Sequence, residues 1–376
     1  MPRERRIVIL AYFLVFWGAG VWAPYFPLYL SHLGYRGWQI GVVIGMQPGL
    51  RWGSAICWAY AADRWRIRHR LLVLTTLCGV VCFVPLLFVR NFVPMLLVLG
   101  SIGLFHGALI PMLDATVIDH LHRLGDDYGR LRLWGSVAFV LGALVSAPLI
   151  HLLSPMIVPL LLFIPGLGLV PVFVRLPREQ LGTAGHFHAP WRLLTPALTA
   201  FLATALLLQL SCGAWGFYAV HTTALGFSDA VPGITWSLAV TAEVALFLWG
   251  REVLQRIAPA RLIVVVLVVT VVRWTLTAIA RNEMLVILIQ LGHAFTFSAF
   301  HLAALLLLSR LVPPESSTGG QALYGMVGYG IGGSSGLALA GVLIDRVGTS
   351  GVFWFEAVVA ALALFPALRL LRLAKN

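Results

Sequence analysis

The sequence predicts an all-α integral membrane protein of twelve transmembrane helices, arranged as two six-helix bundles. Three observations predict it. The composition is 60% hydrophobic and 11% charged, with a mean hydropathy of +0.92, whereas a soluble domain carries about 25% charged residues. Apolar segments of about 20 residues, each long enough to span a bilayer as a helix, recur along the whole chain. The longest polar interruption, 175–192, contains Pro177, Gly182, Gly185 and Pro190 and separates six such segments from six more. A β-barrel would instead show short segments of alternating polarity.

Taken in order, the first span, 7–30, follows Arg5 and Arg6. It is too long for the apolar core of a signal peptide and lacks a small-residue cleavage site, so it is read as a helix. The second, 38–61, carries Gly41, Gly45, Gly49 and Gly53 at four-residue steps, with Gln47 and Arg51 among them. The third, 71–89, and the fourth, 93–119, lead to Asp114 and Asp119, and the fifth, 132–152, opens on Arg132. The sixth, 155–174, has no charge. The domains expected are therefore an N-terminal bundle, 1–174, a cytoplasmic linker, 175–192, and a C-terminal bundle, 193–376. In the second bundle the spans are 193–221, 231–250, 260–280, 284–309, 319–345 and 351–371. The eleventh repeats the glycine pattern with Gly325, Gly328, Gly332 and Gly336. Small residues at this spacing let helix backbones approach closely in lipid. Either they pack one bundle or they form faces that slide when two bundles rock.

The net charge of +12 is a matter of topology. Twenty of the 26 basic residues fall on the termini and the even-numbered loops, among them Arg64, Arg66, Arg68 and Arg70. Only Arg36, Arg90, Arg281 and Arg346 fall on the other side, and Arg51 and Arg273 lie inside spans. The positive-inside rule then puts both termini in the cytoplasm. No nucleic-acid partner is expected from such a distribution. Cys57, Cys78, Cys82 and Cys212 lie in apolar spans without metal-ligand spacing and are read as packing residues. No phosphate-cradling glycine loop occurs, and no nucleophile–base set or metal cluster stands at either membrane face. An enzyme is therefore not expected, nor is a cofactor. The expected partners are a small-molecule substrate and membrane lipids, with the chain a monomer.

Three ionisable residues, Glu243, Arg273 and His293, sit inside spans, and such residues are functional-site candidates by default. Glu243 and Arg273 lie 15 residues either side of the loop at residue 258, so each is ~22 Å deep from that face. Arg273 and His293 lie ten residues either side of Glu283, ~15 Å deep from the opposite face. All three can meet at one level. Pairing Glu243 with Arg273 lowers the burial cost of both, and His293 is suited to pass or sense a proton. The competing reading is a static ion pair beside a packed histidine. Asp114 and Arg132 are likewise symmetric about Arg123, each ~13 Å in, and suit an ion pair across neighbouring helices. Arg51 is either an anchor for an anionic ligand or the partner of Asp114 or Glu356. Trp215 and Tyr218, with Tyr12, Trp17, Phe217 and Tyr324, suit an aromatic-lined cavity. Asp63 and Arg64, at the end of the second span, suit a cytoplasmic latch.

These residues resemble the major facilitator superfamily across nearly the full length, in the branch containing lactose permease and the phenylpropionate permeases. The resemblance rests on the Asp63-Arg64 loop, where Trp65 replaces the usual glycine, and on the run from Asp127-Tyr128-Gly129-Arg130 to Trp134-Gly135-Ser136. It rests further on Trp236-Ser237-Leu238 with Ala242-Glu243-Val244, on Val272-Arg273-Trp274 and on His301-Leu302-Ala303-Ala304. It implies a major facilitator fold and a secondary transporter of a bacterial inner membrane, working by proton-coupled alternating access. Asp114 and Arg132 match the permease's sugar-binding carboxylate and arginine, with Gln47, Arg51, Trp215 and Tyr218 as further substrate-binding candidates. Glu243, Arg273 and His293 match members of its coupled network. The permease's proton-carrying glutamate is Thr296 here, which moves that role to Glu243. In the phenylpropionate branch the seventh helix carries a histidine followed by paired tyrosines; here it reads Ser211-Cys212-Gly213-Ala214-Trp215. The substrate expected is a small organic solute, an aromatic carboxylic acid foremost. A sugar or nucleoside symporter and an exporter of hydrophobic compounds are the alternatives.

Overall fold

The computed structural model describes residues 3–107, 109–121, 127–177, 194–250, 252, 254, 256–313 and 316–373, with Ala59, Asp63, Ser317 and Thr318 described by backbone alone. Every regular element among them is helical. The first half comprises α1 (Arg3–His32), α2 (Gly37–Trp65), α3 (Arg68–Leu86), α4 (Phe92–His106), α5 (Leu109–Asp119), α6 (Tyr128–Leu153) and α7 (Val158–Val174). The second half comprises α8 (Pro196–Leu210), α9 (Tyr218–Ala224), α10 (Val231–Ala245), α11 (Pro259–Ile279), α12 (Glu283–Ile289), α13 (Phe300–Leu311), α14 (Ser317–Tyr324), α15 (Ser334–Leu362) and α16 (Leu364–Leu373). Among the described residues ten stretches are long and apolar enough to cross a membrane. One of them, Gly319–Leu373, is interrupted at Gly348, whose φ of 71° no helix accommodates. α2, with 29 residues, is a further helix of spanning length, ~43 Å. The count is consistent with twelve spans.

Local chemistry sets the helix starts. Asp127 accepts from the Gly129 N–H ahead of α6, Thr195 from Leu198 ahead of α8, and Asn282 from Leu285 ahead of α12. Each satisfies a backbone donor that a helix start leaves open. Proline stands in the first turn of α8, α10 and α11, where its missing N–H costs nothing. The outward surface is apolar, with Phe88, Leu97, Trp249 and Phe365 exposed, as lipid requires of a spanning helix.

The chain forms two compact units. One comprises Met1–Tyr35, Met46–Gly185 and Pro232–Ser237; the other comprises Arg36–Gly45, His186–Val231 and Leu238–Asn376. The first has a core around Tyr12, Leu113, Leu131 and Phe173. It also holds Tyr25, whose hydroxyl donates to the Ala143 carbonyl at 2.9 Å. The second has a core around Phe201, Ile263, Phe300 and Leu307. In it, Gly41 and Gly45 lie against the α15 backbone at Leu337 and Ser334, while Asp345 accepts from the backbone N–H groups of Gly37 and Trp38 at 2.8 and 2.9 Å. The glycines of the eleventh span serve packing on α8, Gly332 lying against Leu206 and Gly336 against Leu210. Gly53, at the far end of the α2 stripe, faces open space. Most of the 175–192 linker lies outside the described residues.

Candidate functional site

The second unit gathers Glu243, Arg273 and His293 into one hydrogen-bonded chain. Arg273, on α11, is 3% exposed. Its Nε donates to Gln290 Oε1 at 2.8 Å, and its Nη1 donates to Thr296 Oγ1 at 2.8 Å and to His293 Nδ1 at 3.2 Å. Gln290 Nε2 donates in turn to Thr277 Oγ1 at 3.1 Å, and the Thr277 hydroxyl donates back to the Arg273 carbonyl at 2.9 Å. His293 Nε2 lies 3.0 Å from Glu243 Oε1. A guanidinium can only donate, so Nδ1 of His293 is the accepting nitrogen. The imidazole proton therefore sits on Nε2 and points at Glu243. The neutral ring relays the carboxylate of Glu243 to the cation of Arg273, with no direct contact between the two charges.

Backbone irregularity makes this convergence possible. A 3-10 turn, Gln290–Gly292, is followed by a π-helical segment, Ala294–Ala299, which contains Thr296. Residues three apart eclipse in a 3-10 turn, whereas in an α-helix they drift apart, so Gln290 and His293 present to the same neighbour. A second π-helical segment, Leu246–Gly250, begins just after the turn that holds Glu243. Tryptophan rings flank the guanidinium, Trp274 at 4.2 Å and Trp215 at 4.6 Å from its carbon. Such a cation–π contact contributes about 2 kcal/mol when desolvated. Trp215 also lies beside His293, their ring centres 5.2 Å apart. Tyr218 is fully buried and its hydroxyl donates to the Val286 carbonyl at 3.0 Å. Both aromatic substrate candidates of the seventh span thus belong to the surroundings of Arg273.

The first unit holds the other candidates. Asp114 Oδ1 accepts from the Tyr12 hydroxyl at 2.6 Å, and Tyr128 hydrogen-bonds the same carboxylate. Arg132 is within electrostatic reach of Asp114, but its guanidinium lies over the Phe16 ring at 3.9 Å and near Tyr12 at 5.7 Å. Among the described residues no ion pair joins the two, so the tyrosines satisfy the carboxylate without the arginine. Gly103 and Gly107 of the fourth span meet the backbone of Gln47 and Arg51, which seats that turn of α2. The Arg51 carbonyl accepts from the Ser54 hydroxyl at 3.2 Å, while its guanidinium has no ion pair or hydrogen bond among the described residues, and His106 is within its electrostatic reach. Of the latch pair, Arg64 is exposed, and the Asp63 side chain lies outside the described residues. Arg68, four residues after Arg64, forms a 2.6 Å ion pair with Asp119 at the end of α5. Gln290 and Thr277 were not singled out from the sequence, and Trp274 only as part of the Val272-Arg273-Trp274 motif. Gln290, a lone amide three residues before His293 in an apolar span, is the one with a signal that could have found it.

Helices of spanning length, two units and charged side chains wired together within them define a polytopic membrane transporter. The MFS_1-like family profile matches residues 7–355. The chain belongs to that family, within the major facilitator superfamily, and is a multi-pass secondary transporter. A probable 3-phenylpropionic acid transporter of Escherichia coli (strain K12) is 30% identical over 372 residues, 96% of this chain and 97% of that one. Maltose permease of Geobacillus stearothermophilus is 25% identical over 370 residues, 94% and 91% of the two chains. The crystal structure of the nucleoside transporter NupG matches 98% of this chain and 99% of its own at 16% identity, with a TM-score of 0.84. That likeness shows the major facilitator fold.

Proposed function

We propose that this transporter moves a small carboxylic acid, an aromatic one foremost, together with protons across a bacterial inner membrane by alternating access of its N- and C-terminal halves. The observation that carries the substrate class is Arg51, a cation inside a span with no anionic partner among the described residues. A guanidinium grips a carboxylate through two parallel hydrogen bonds, and a carboxylic-acid substrate supplies the missing charge. Arg132, lying over the Phe16 ring within electrostatic reach of Asp114, is the second anchor, and Gln47 lies one turn from Arg51. The name of the 30% identical relative supports the same class.

Glu243 exchanges the proton in this reading. Protonating it removes the charge that His293 relays to Arg273, so occupancy at Glu243 changes the electrostatics of the whole chain of donors. Trp215 and Tyr218 wall that chain. Asp63 and Arg64 act as the cytoplasmic latch, both termini are cytoplasmic, and the chain works as a monomer. No cofactor takes part.

The test is uptake of labelled 3-phenylpropionate into liposomes holding the purified protein, with an imposed proton gradient. Accumulation is expected in the parent protein. Arg51→Gln should raise KM about tenfold or more, the loss of a charged hydrogen bond of about 1.5–3 kcal/mol. Glu243→Gln should abolish gradient-driven accumulation while leaving exchange across the membrane. Accumulation that survives Glu243→Gln would remove the proton role from that residue. A sugar is the second reading, favoured by the maltose permease relative and by the Asp114 carboxylate. Thermal stabilisation by maltose and not by 3-phenylpropionate would select it.

A further inference from the structure

We infer that Glu356 is a second proton-binding site in this chain, carrying a proton on its carboxyl group in the conformation shown. Glu356 lies on α15 and is 0% exposed. Its Oε1 accepts from the Ala214 backbone N–H at 2.9 Å, at the 3-10 turn Gly213–Phe217 that interrupts the seventh span. Its Oε2 is buried and has no hydrogen-bond partner among the described residues. An ionised carboxylate left in such a place is too costly to persist, and the group takes up a proton instead.

The surroundings supply no compensating cation. α8, α9, α11, α16, the 213–217 turn, the Gly325–Gly333 segment and the start of α2 pack against α15. Their titratable groups are Cys212 beside the turn, Tyr218 and His221 on α9, Arg261 and Arg273 on α11, Tyr329 on Gly325–Gly333, and Arg369 and Arg372 on α16, both exposed; α8 and Gly37–Gly45 have none, and α15 itself adds Asp345 and Arg346, both exposed. Tyr218 is spent on the Val286 carbonyl. His221 Nδ1 is 2.9 Å from the Thr349 hydroxyl, and its ring packs edge-on to Phe353. Arg261 is exposed near the start of α11. Arg273 is committed through Nε and Nη1 to the chain ending at Glu243. The buried cation on these elements is thus already committed. Glu243 balances Arg273 through His293, and Glu356 is left for a proton to neutralise.

In transport this proton leaves when the conformation changes. In a state that admits water to the site the O–H bond of Glu356 breaks, the proton passes to that water, and the carboxylate keeps the Ala214 N–H as its donor. This part in transport rests on the proton-coupled reading above; the proton on Glu356 does not.

Infrared spectra of the purified full chain in detergent test the site without any substrate. At neutral pH the parent protein should show the carbonyl stretch of a protonated carboxylic acid, moved by deuteration and lost in Glu356→Gln. Glutamine keeps an acceptor for the Ala214 N–H, so that variant should fold. Glu356→Asp, which retains an acid, should shift the band rather than remove it and serves if the glutamine variant does not fold. No such band in the parent protein, or one unchanged in both variants, would overturn the proposal. In liposomes, Glu356→Gln should lose gradient-driven accumulation of 3-phenylpropionate. Unaltered accumulation would limit Glu356 to a static proton and remove it from transport. A parent protein that transports no 3-phenylpropionate would sink the substrate reading and leave the infrared result standing.

Discussion

Arg273 is held by three acceptors in three directions, and that geometry makes it replaceable by nothing with a single donor head. Lysine keeps the charge but cannot reach Gln290, Thr296 and His293 from one ammonium. Arg273→Lys is therefore expected to unfold at clearly lower temperature in detergent than the parent protein. Removing one charge of a buried pair strands the other and costs about 3–5 kcal/mol. Glu243→Gln with Arg273→Gln should recover part of what Arg273→Gln alone loses, because the two act through one chain. Additive losses in a double-mutant cycle would show that His293 does not couple them. Glu243, Arg273 and His293 were legible in the sequence as charges at matching depth in apolar spans. Their wiring was not, because hydrogen-bond direction depends on rotamers and on how an irregular turn aims each side chain. Thr296 shows the difference. In the sequence it marks a missing acid; in the structure it is an acceptor for Arg273.

The elements that carry these residues depart from regular helices where function concentrates. Three π-helical segments, Leu246–Gly250, Ala294–Ala299 and Gly325–Gly333, occur among the described residues, all in the second unit. The seventh span, expected as one helix, breaks between α8 and α9. Ser211 turns its hydroxyl back to the Leu208 carbonyl at 2.7 Å, and Gly213 brings the backbone against Gly336. Any side chain at Gly213 would meet backbone, which cannot yield as a side chain does. Gly213→Ala should therefore lower stability by about 1–3 kcal/mol. Gly53→Ala, inside α2 with open space around it, should be neutral or stabilising by up to about 1 kcal/mol. Paired thermal melts of the two variants check this; equal losses would mean that the close approach at Gly213 is relaxed in solution. Spacing exposed both glycine stripes in the sequence. Which of their glycines touch backbone depends on the neighbour each helix meets, and periodicity carries no information about that.

At the scale of the whole molecule, arginine distribution rather than packing governs orientation. A cysteine introduced at Arg3, after replacement of the four native cysteines, should react with an impermeant thiol reagent in inside-out vesicles and not in intact cells. A cysteine at Arg36 should show the reverse. Labelling of Arg3→Cys from outside would invert the topology. The major facilitator fold was legible at this scale, because membrane spans are long, apolar and punctuated by charged loops. The grouping of short end segments was not. Arg36–Gly45 clusters with the second unit and Pro232–Ser237 with the first, since a spanning helix is long enough for its two ends to find different neighbours.

By itself the sequence determined that the chain crosses the membrane repeatedly, how its arginines divide among its loops, and which ionisable residues lie inside apolar spans. Those properties follow from transfer free energies, which are summed along a segment and need no partner. Only the tertiary structure decided that His293 stands between Glu243 and Arg273, that Tyr12 and Tyr128 satisfy Asp114, and that Glu356 keeps one buried oxygen unpartnered. Each of these depends on which donor meets which acceptor across different helices. In a low-dielectric interior a contact of about 3 Å decides where a proton or a charge can rest.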